Sequence, residues 1–140
     1  MSDEIIRSID IRTTAEESWD LISEPGWWIN EGSLDGHRIE GEAPEVVVHD
    51  EALGAFPVGI ETLEPPQRAV FTWHAGSDTG VPRTRVEFTL TPLDPTTVRL
   101  TVRETGFEAM ETEVGTEHRE ANESGWEQEL ALAADELGRE

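Results

Sequence analysis

Two ionisable residues stand in registers otherwise held by apolar side chains, which makes them the first candidates for chemistry. Arg7 shares one side of an alternating stretch with Ile5, Ile9 and Ile11, and Glu104 shares one with Val98, Leu100 and Val102. A guanidinium and a carboxylate can orient a polar group through charge-assisted hydrogen bonds. Glu104 is the least poor candidate for a general acid or base, although no residue qualifies as catalytic on spacing alone. Beside these charges stands a set of large rings, Trp27, Trp28, Phe56, Phe71, Trp73, Phe88 and Trp126, in a chain with 5 Trp and no Tyr. Such rings can line a pocket or fill a core. Asn122, with His118, Arg119 and Glu123, lies one or two helical turns before Trp126 and supplies a candidate polar rim.

Other chemistries are excluded or weakly supported. Without Cys there are no disulfides, thiol nucleophiles or Cys-ligated zinc. His37, His49, His74 and His118 lack the spacing of a metal site, so neither metal nor cofactor is expected. His49 with Asp50 reads as a solvated strand-end cluster, Ser124 lacks the surroundings of a nucleophile elbow, and Gly76 to Gly80 reads as a hairpin tip rather than a phosphate loop.

Charge narrows the partners further. The 140 residues carry 31 Asp plus Glu against 10 basic residues, all of them Arg, for a net charge of -21. A polyanion would be repelled and no basic stripe exists to meet phosphates, so nucleic acid and anionic membrane surfaces are not expected partners. No secretory signal follows Met1 and no apolar run reaches the roughly 20 residues that span a bilayer, so no membrane insertion and a cytoplasmic location are expected. The acid excess and missing Lys suit a solvated surface, with salt adaptation as one hypothesis: the melting temperature would then rise toward molar salt, and a flat or falling curve would remove the idea.

The elements that position these residues follow from periodicity. Ile5 to Arg12 alternates as a first strand, and Thr14-Ala15-Glu16-Glu17 supplies a capping box for a short helix carrying Trp19, Leu21 and Ile22. Pro25 and Gly26 end it, and Gly26-Trp27-Trp28-Ile29 reads as a second very short helix or turn before the Gly-rich stretch Asn30 to Gly36. From Gly36 onward the period is two. Strands are expected near His37 to Glu42, Glu45 to His49, Ala55 to Leu63, Arg68 to His74, Thr84 to Thr91 and Thr97 to Glu104, with turns at Ala43-Pro44, Asp50 to Gly54, Glu64 to Gln67, Gly76 to Pro82 and Pro92 to Pro95. Phe56, Val58 and Ile60, Ala69, Phe71 and Trp73, Val86, Phe88 and Leu90, and Val98, Leu100 and Val102 form one apolar face; Arg85, Glu87, Arg99, Thr101 and Arg103 mark the other. Ala121 to Leu137 reads as a terminal amphipathic helix, with Trp126, Leu130, Ala133, Ala134 and Leu137 facing the sheet and Glu127, Glu129, Asp135 and Glu136 facing water. Helicity is expected to begin somewhere before Ala121. The chain is long enough for one domain, residues 1–140, and too short for two.

This order of elements, combined with several strings, resembles a known group. The strings are Ile9-Asp10-Ile11 with Glu17-Ser18-Trp19-Asp20, Pro65-Pro66-Gln67-Arg68, Phe71-Thr72-Trp73, Val86-Glu87-Phe88-Thr89-Leu90, Glu104-Thr105-Gly106-Phe107, and Gly125-Trp126 with Leu130. They are similar to the START-like, or SRPBCC, helix-grip superfamily, in the branch named after the C-terminal domain of the activator of heat-shock protein 90 ATPase. The resemblance implies an α+β fold: a seven-stranded curved antiparallel sheet wrapped around a long C-terminal helix, with two short helices between strands 1 and 2. It implies a cavity between sheet and helix that holds a small apolar or amphipathic molecule, such as a lipid or aromatic metabolite, in a monomer or homodimer. Arg7, Trp27, Trp28, Phe56, Phe71, Trp73, Phe88, Glu104, Asn122 and Trp126 would then line or rim that cavity. The family fold also pairs the first and last strands, which would let Arg7 meet Glu104. A polyketide cyclase or hydrolase-like enzyme and a chaperone ATPase activator-like interaction protein are the rival readings.

Overall fold

In the computed structural model, which describes residues 4–30, 34, 37–74, 82–110 and 112–138, the alternating segments become seven strands. These are β1 (Ile5–Ile11), β2 (His37–Glu42), β3 (Glu45–Asp50), β4 (Gly54–Glu64), β5 (Arg68–Trp73), β6 (Thr84–Asp94) and β7 (Thr97–Thr105). All pair antiparallel in one sheet of order β1-β7-β6-β5-β4-β3-β2, so the first strand closes against the last and β1 and β2 are the edges. The Gly-rich stretch Asn30 to Gly36 and the turn Gly76 to Pro82 fall mostly outside the described residues.

One face carries the core. Val86, Phe88, Leu90, Val98, Leu100 and Val102 are buried there, while the opposite face holds the ion pairs Arg99 to Asp10 (2.8 Å), Arg103 to Glu4 (2.8 Å) and Arg85 to Glu61 (2.7 Å), together with Arg68 to Glu87. Exposed pairs of this kind add little to stability.

Between β1 and β2 lies one short helix, α1 (Ala15–Ile22). Its cap is half of the expected capping box. Thr14 Oγ1 accepts from Glu17 N (3.1 Å), but the Glu17 carboxylate accepts from Thr13 Oγ1 (2.9 Å) instead of reaching back to the cap's own N–H. The expected second helix is a run of turns over residues 23–28. Its hydrogen bonds span three residues, from Trp27 N to Glu24 O and from Ile29 N to Gly26 O. Gly26 explains why helix cannot continue: its φ is +74°, and a Cβ there would stand 2.7 Å from Val48 Cγ2. This sharp reversal drives Trp27, Trp28 and Ile29 into the interior, where all three are buried.

The terminal helix α2 runs Thr112–Leu137, beginning about two and a half turns before the expected Ala121. A short 3₁₀ turn, Phe107–Ala109, delivers the chain from β7 to it. Trp126, Leu130 and Ala133 are buried, with Ala134 and Leu137 packed at the margin. The helix therefore covers the inner face as the stripe predicts, and β1 lies beneath its C-terminal half.

Candidate functional site

The inner face ends, at its β7 side, on a buried acid. Glu104 is 0 % exposed and its carboxylate has no cation beside it among the described residues. Four side chains serve it instead. Trp126 Nε1 donates to Oε1 (2.8 Å), Trp73 Nε1 donates to Oε2 (2.9 Å), Thr84 Oγ1 donates to Oε2, and Asn122 Nδ2 reaches both oxygens (3.0 and 3.2 Å). These partners come from β5, β6 and α2, so one carboxylate ties the helix to the sheet. The indole and amide nitrogens can only donate, which saturates both oxygens as acceptors.

Arg7 does not join this group. The expected pairing of β1 with β7 is present, but its register sets Ile5 opposite Glu104 and Arg7 opposite Val102. From there the guanidinium reaches Glu123 (2.9 Å) and Glu127 (3.4 Å) on α2, a half-exposed clasp over the edge strand. The two-residue slip is set by strand length, which alternation cannot supply.

Next to the acid lies a ring cluster centred on Trp28. Its ring centroid is 5.4 to 5.8 Å from those of Phe71, Trp73, Phe88 and Trp126, and 6.3 Å from that of Trp27. Trp27, Phe71 and Phe88 are fully buried behind it and are core, not wall. On the other side a cavity of about 350 Å³ opens between α2, the Trp28–Asn30 turn, the β3–β4 turn and the ends of β4 and β5. Trp28, Phe56, Trp73, Trp126 and Asn122 line it, together with Ile29, Asn30, Leu53, Gly125 and Glu129. Of the expected site residues, then, five form the wall, three stand behind it, Glu104 holds two of its rings, and Arg7 is elsewhere.

Glu129 was expected on the wet side of α2, and the structure corrects this. It is half-buried on the cavity wall and accepts one hydrogen bond, from Asn30 Nδ2 to Oε1 (2.8 Å). Removal from water pushes its carboxyl up to about 7, and the Asn30 bond only partly opposes this. A usable signal was present: Asn122, Trp126 and Glu129 stand at offsets of four and seven, so they share a helix face.

His37 and Asp50 hold the wall from behind. His37 Nε2 meets Asp50 Oδ1 at 3.1 Å and also faces the Ile29 carbonyl, so this nitrogen bears the proton. Asp50 Oδ2 in turn accepts from the backbone of Ala52 (3.0 Å) and Leu53 (2.9 Å), shaping the β3–β4 turn that carries Leu53. Asp50 is thus buried structure and not the solvated strand end that sequence suggested. The alternation reading missed it because His37 is opposite Asp50 across the β2–β3 hairpin, a pairing that only register reveals. No group of three or more His, Asp or Glu with metal-holding geometry occurs among the described residues.

A single curved sheet gripping a C-terminal helix over a ring-lined cavity defines a START-like, SRPBCC helix-grip domain. The chain belongs to the family described as Activator of Hsp90 ATPase homolog 1-like protein, whose model matches residues 12–135. Solved structures agree on the fold. A protein from Mesorhizobium loti is 19% identical, with 94% of each chain covered and a TM-score of 0.70. The Aha1 dimer from Colwellia psychrerythraea is 14% identical over 99% of this chain and 97% of that one, at 0.71. The Zhui aromatase/cyclase from a Streptomyces species is 15% identical over 96% and 92%, at 0.68. At such identities the likeness shows architecture, and one architecture serves many functions. Comparison with curated proteins finds no match. No helix among the described residues is long and apolar enough to cross a membrane.

Proposed function

We propose that the protein binds a small apolar or amphipathic molecule in the cavity between its sheet and C-terminal helix. The observation that carries this reading is the opening itself. Its volume of about 350 Å³ falls within the range of small-molecule sites, and four rings meet a few polar groups on its wall. Gly125 adds to the argument, because it lines this space in mid-helix and a Cβ placed there would meet nothing within 4 Å. Glycine in a helix interior costs about 1 kcal/mol relative to alanine, so the position forgoes stability while leaving room.

Gly125→Leu tests the reading, since its side chain starts into open space and would occupy part of the cavity. Neutral apolar compounds such as 4-phenylbutanol are expected to shift the emission of the wall tryptophans saturably in the parent protein, and no longer in Gly125→Leu. Gly125→Ala controls for helix propensity. A parent protein indifferent to all compounds, or a Leu variant that binds equally well, defeats the proposal.

A second reading has one observation in its favour. A carboxyl pushed up to about 7 inside a cavity is poised to exchange protons near neutral pH, which suits a cyclase or hydrolase-like enzyme with Glu129, rather than Glu104, as acid or base. Hydrolysis of aryl esters that disappears in Glu129→Gln would support it, and turnover unchanged in that variant would remove it. The chaperone-activator reading has only the family description behind it.

A further inference from the structure

We propose that the cavity selects a cationic amphiphile, an organic amine carrying an apolar body, over the matching carboxylate or alcohol; this rests on the binding function proposed above. The cavity wall has hydrogen-bond acceptors to spare and few donors. Donors on the wall are spent. Trp73 and Trp126 give their N–H groups to Glu104, as does the Asn122 amide nitrogen, and Asn30 Nδ2 is divided between Glu129 and the Trp27 carbonyl (3.2 Å). Trp28 Nε1 is buried without a partner and has no exposure to the open space.

Acceptors, by contrast, remain. Glu129 has one oxygen beyond the one Asn30 uses. Because Asn122 must turn its nitrogen toward the Glu104 carboxylate, its Oδ1 is the edge left over. Gln128, exposed at the rim, offers both kinds of group and sets no preference.

Charge points the same way. Among the described residues no Arg, Lys or His lines the cavity. An anionic head would therefore meet a carboxylate and no counter-ion. An ammonium would meet that carboxylate among the rings of Trp28, Phe56, Trp73 and Trp126, whose faces attract cations. The net charge of -21 raises the local concentration of cations without choosing a site.

A matched series reads the preference: 4-phenylbutylamine, 4-phenylbutanol and 4-phenylbutyrate, which share one body and differ in the head. Titrations by Trp emission at pH 8 leave both the amine and the Glu129 carboxylate charged. Work in 1 M NaCl, where the Debye length is about 3 Å, suppresses attraction to the acidic surface. The amine is expected to bind about tenfold or more tightly than the butyrate and several-fold more tightly than the alcohol. Glu129→Gln should erase the margin over the alcohol, whereas Glu120→Gln, an equal charge change at an exposed site on α2, should leave it intact. If alcohol or butyrate binds as well as the amine, or the preference survives Glu129→Gln, the amine selectivity is wrong while cavity binding stands. If no member of the series binds, both fall.

Discussion

Glu104 and Glu129 are two inward-facing carboxylates without a cation beside them among the described residues, and they have opposite fates. Glu104 lies where β7 meets α2, is served by four side chains from three elements and is closed to solvent. Glu129 lies on α2 three residues past Trp126, receives one hydrogen bond and borders open space. What separates architecture from available chemistry here is the number of donors. Each bond to a carboxylate stabilises it and also fixes the donor's position, so a saturated acid becomes a joint. An acid left with one donor keeps unspent acceptor capacity, and its desolvation is expressed as a raised pKa instead of as rigidity.

Removing the joint is the severest way to probe this contrast. Glu104→Ala would leave two indole N–H groups, a hydroxyl and an amide buried without their acceptor. The expected loss is about 3 to 5 kcal/mol in urea unfolding, a large part of a typical domain's stability. Glu104→Gln keeps the shape but turns an NH₂ toward donors, and about 1 to 3 kcal/mol is expected. Glu129→Gln should cost far less, because only the Asn30 bond is altered and water reaches the site. Equal tolerance of substitution at the two positions would erase the distinction between them.

How the two acids could be read in advance differs in the same way. Glu104 was visible as a charged residue in an apolar register, since alternation along β7 is strict. The strands themselves were legible to within a few residues for the same reason: period two with clear turn chemistry leaves little choice. Arg7 was equally visible, yet its assigned partner was wrong, because alternation fixes the face of a side chain and says nothing of which residue faces it across the ladder. Glu129 was obscured by being polar, although its offset of three from Trp126 places it beside the buried stripe. The first part of α2 carries Glu113, Glu117 and Glu120 with few apolar residues, so no stripe announced its start at Thr112. Trp27 and Trp28 could be recognised as interior rings, but which of the two would face the cavity depends on the reversal at Gly26, a three-dimensional packing constraint set by Val48.

The subtlest probe of the contrast is the pH dependence of stability. The Glu129 carboxyl is raised from 4.5 to about 7 in the folded chain, whereas in the unfolded chain it returns to an ordinary value. Between those limits the folded state holds the proton more tightly, so unfolding releases it and stability falls as pH rises. The contribution is complete below about 4.5 and lost as pH passes through about 7. Asp10, Glu45 and Asp94, held below their usual values by Arg99, by Arg83 and by the Thr96 backbone respectively, act in the opposite direction but only at lower pH. The other titratable groups packed near this wall, Glu104 behind Trp126 and Glu24, His37 and Asp50 behind Ile29, are present in both chains. Subtracting the unfolding curve of Glu129→Gln from that of the parent chain therefore isolates one group. The parent is expected to lose ground against the variant from pH 5 to about pH 7 and to level off above it, and a difference that stays flat from pH 5 to pH 7 would mean Glu129 is solvated after all, like Glu127 on the outer side of the helix.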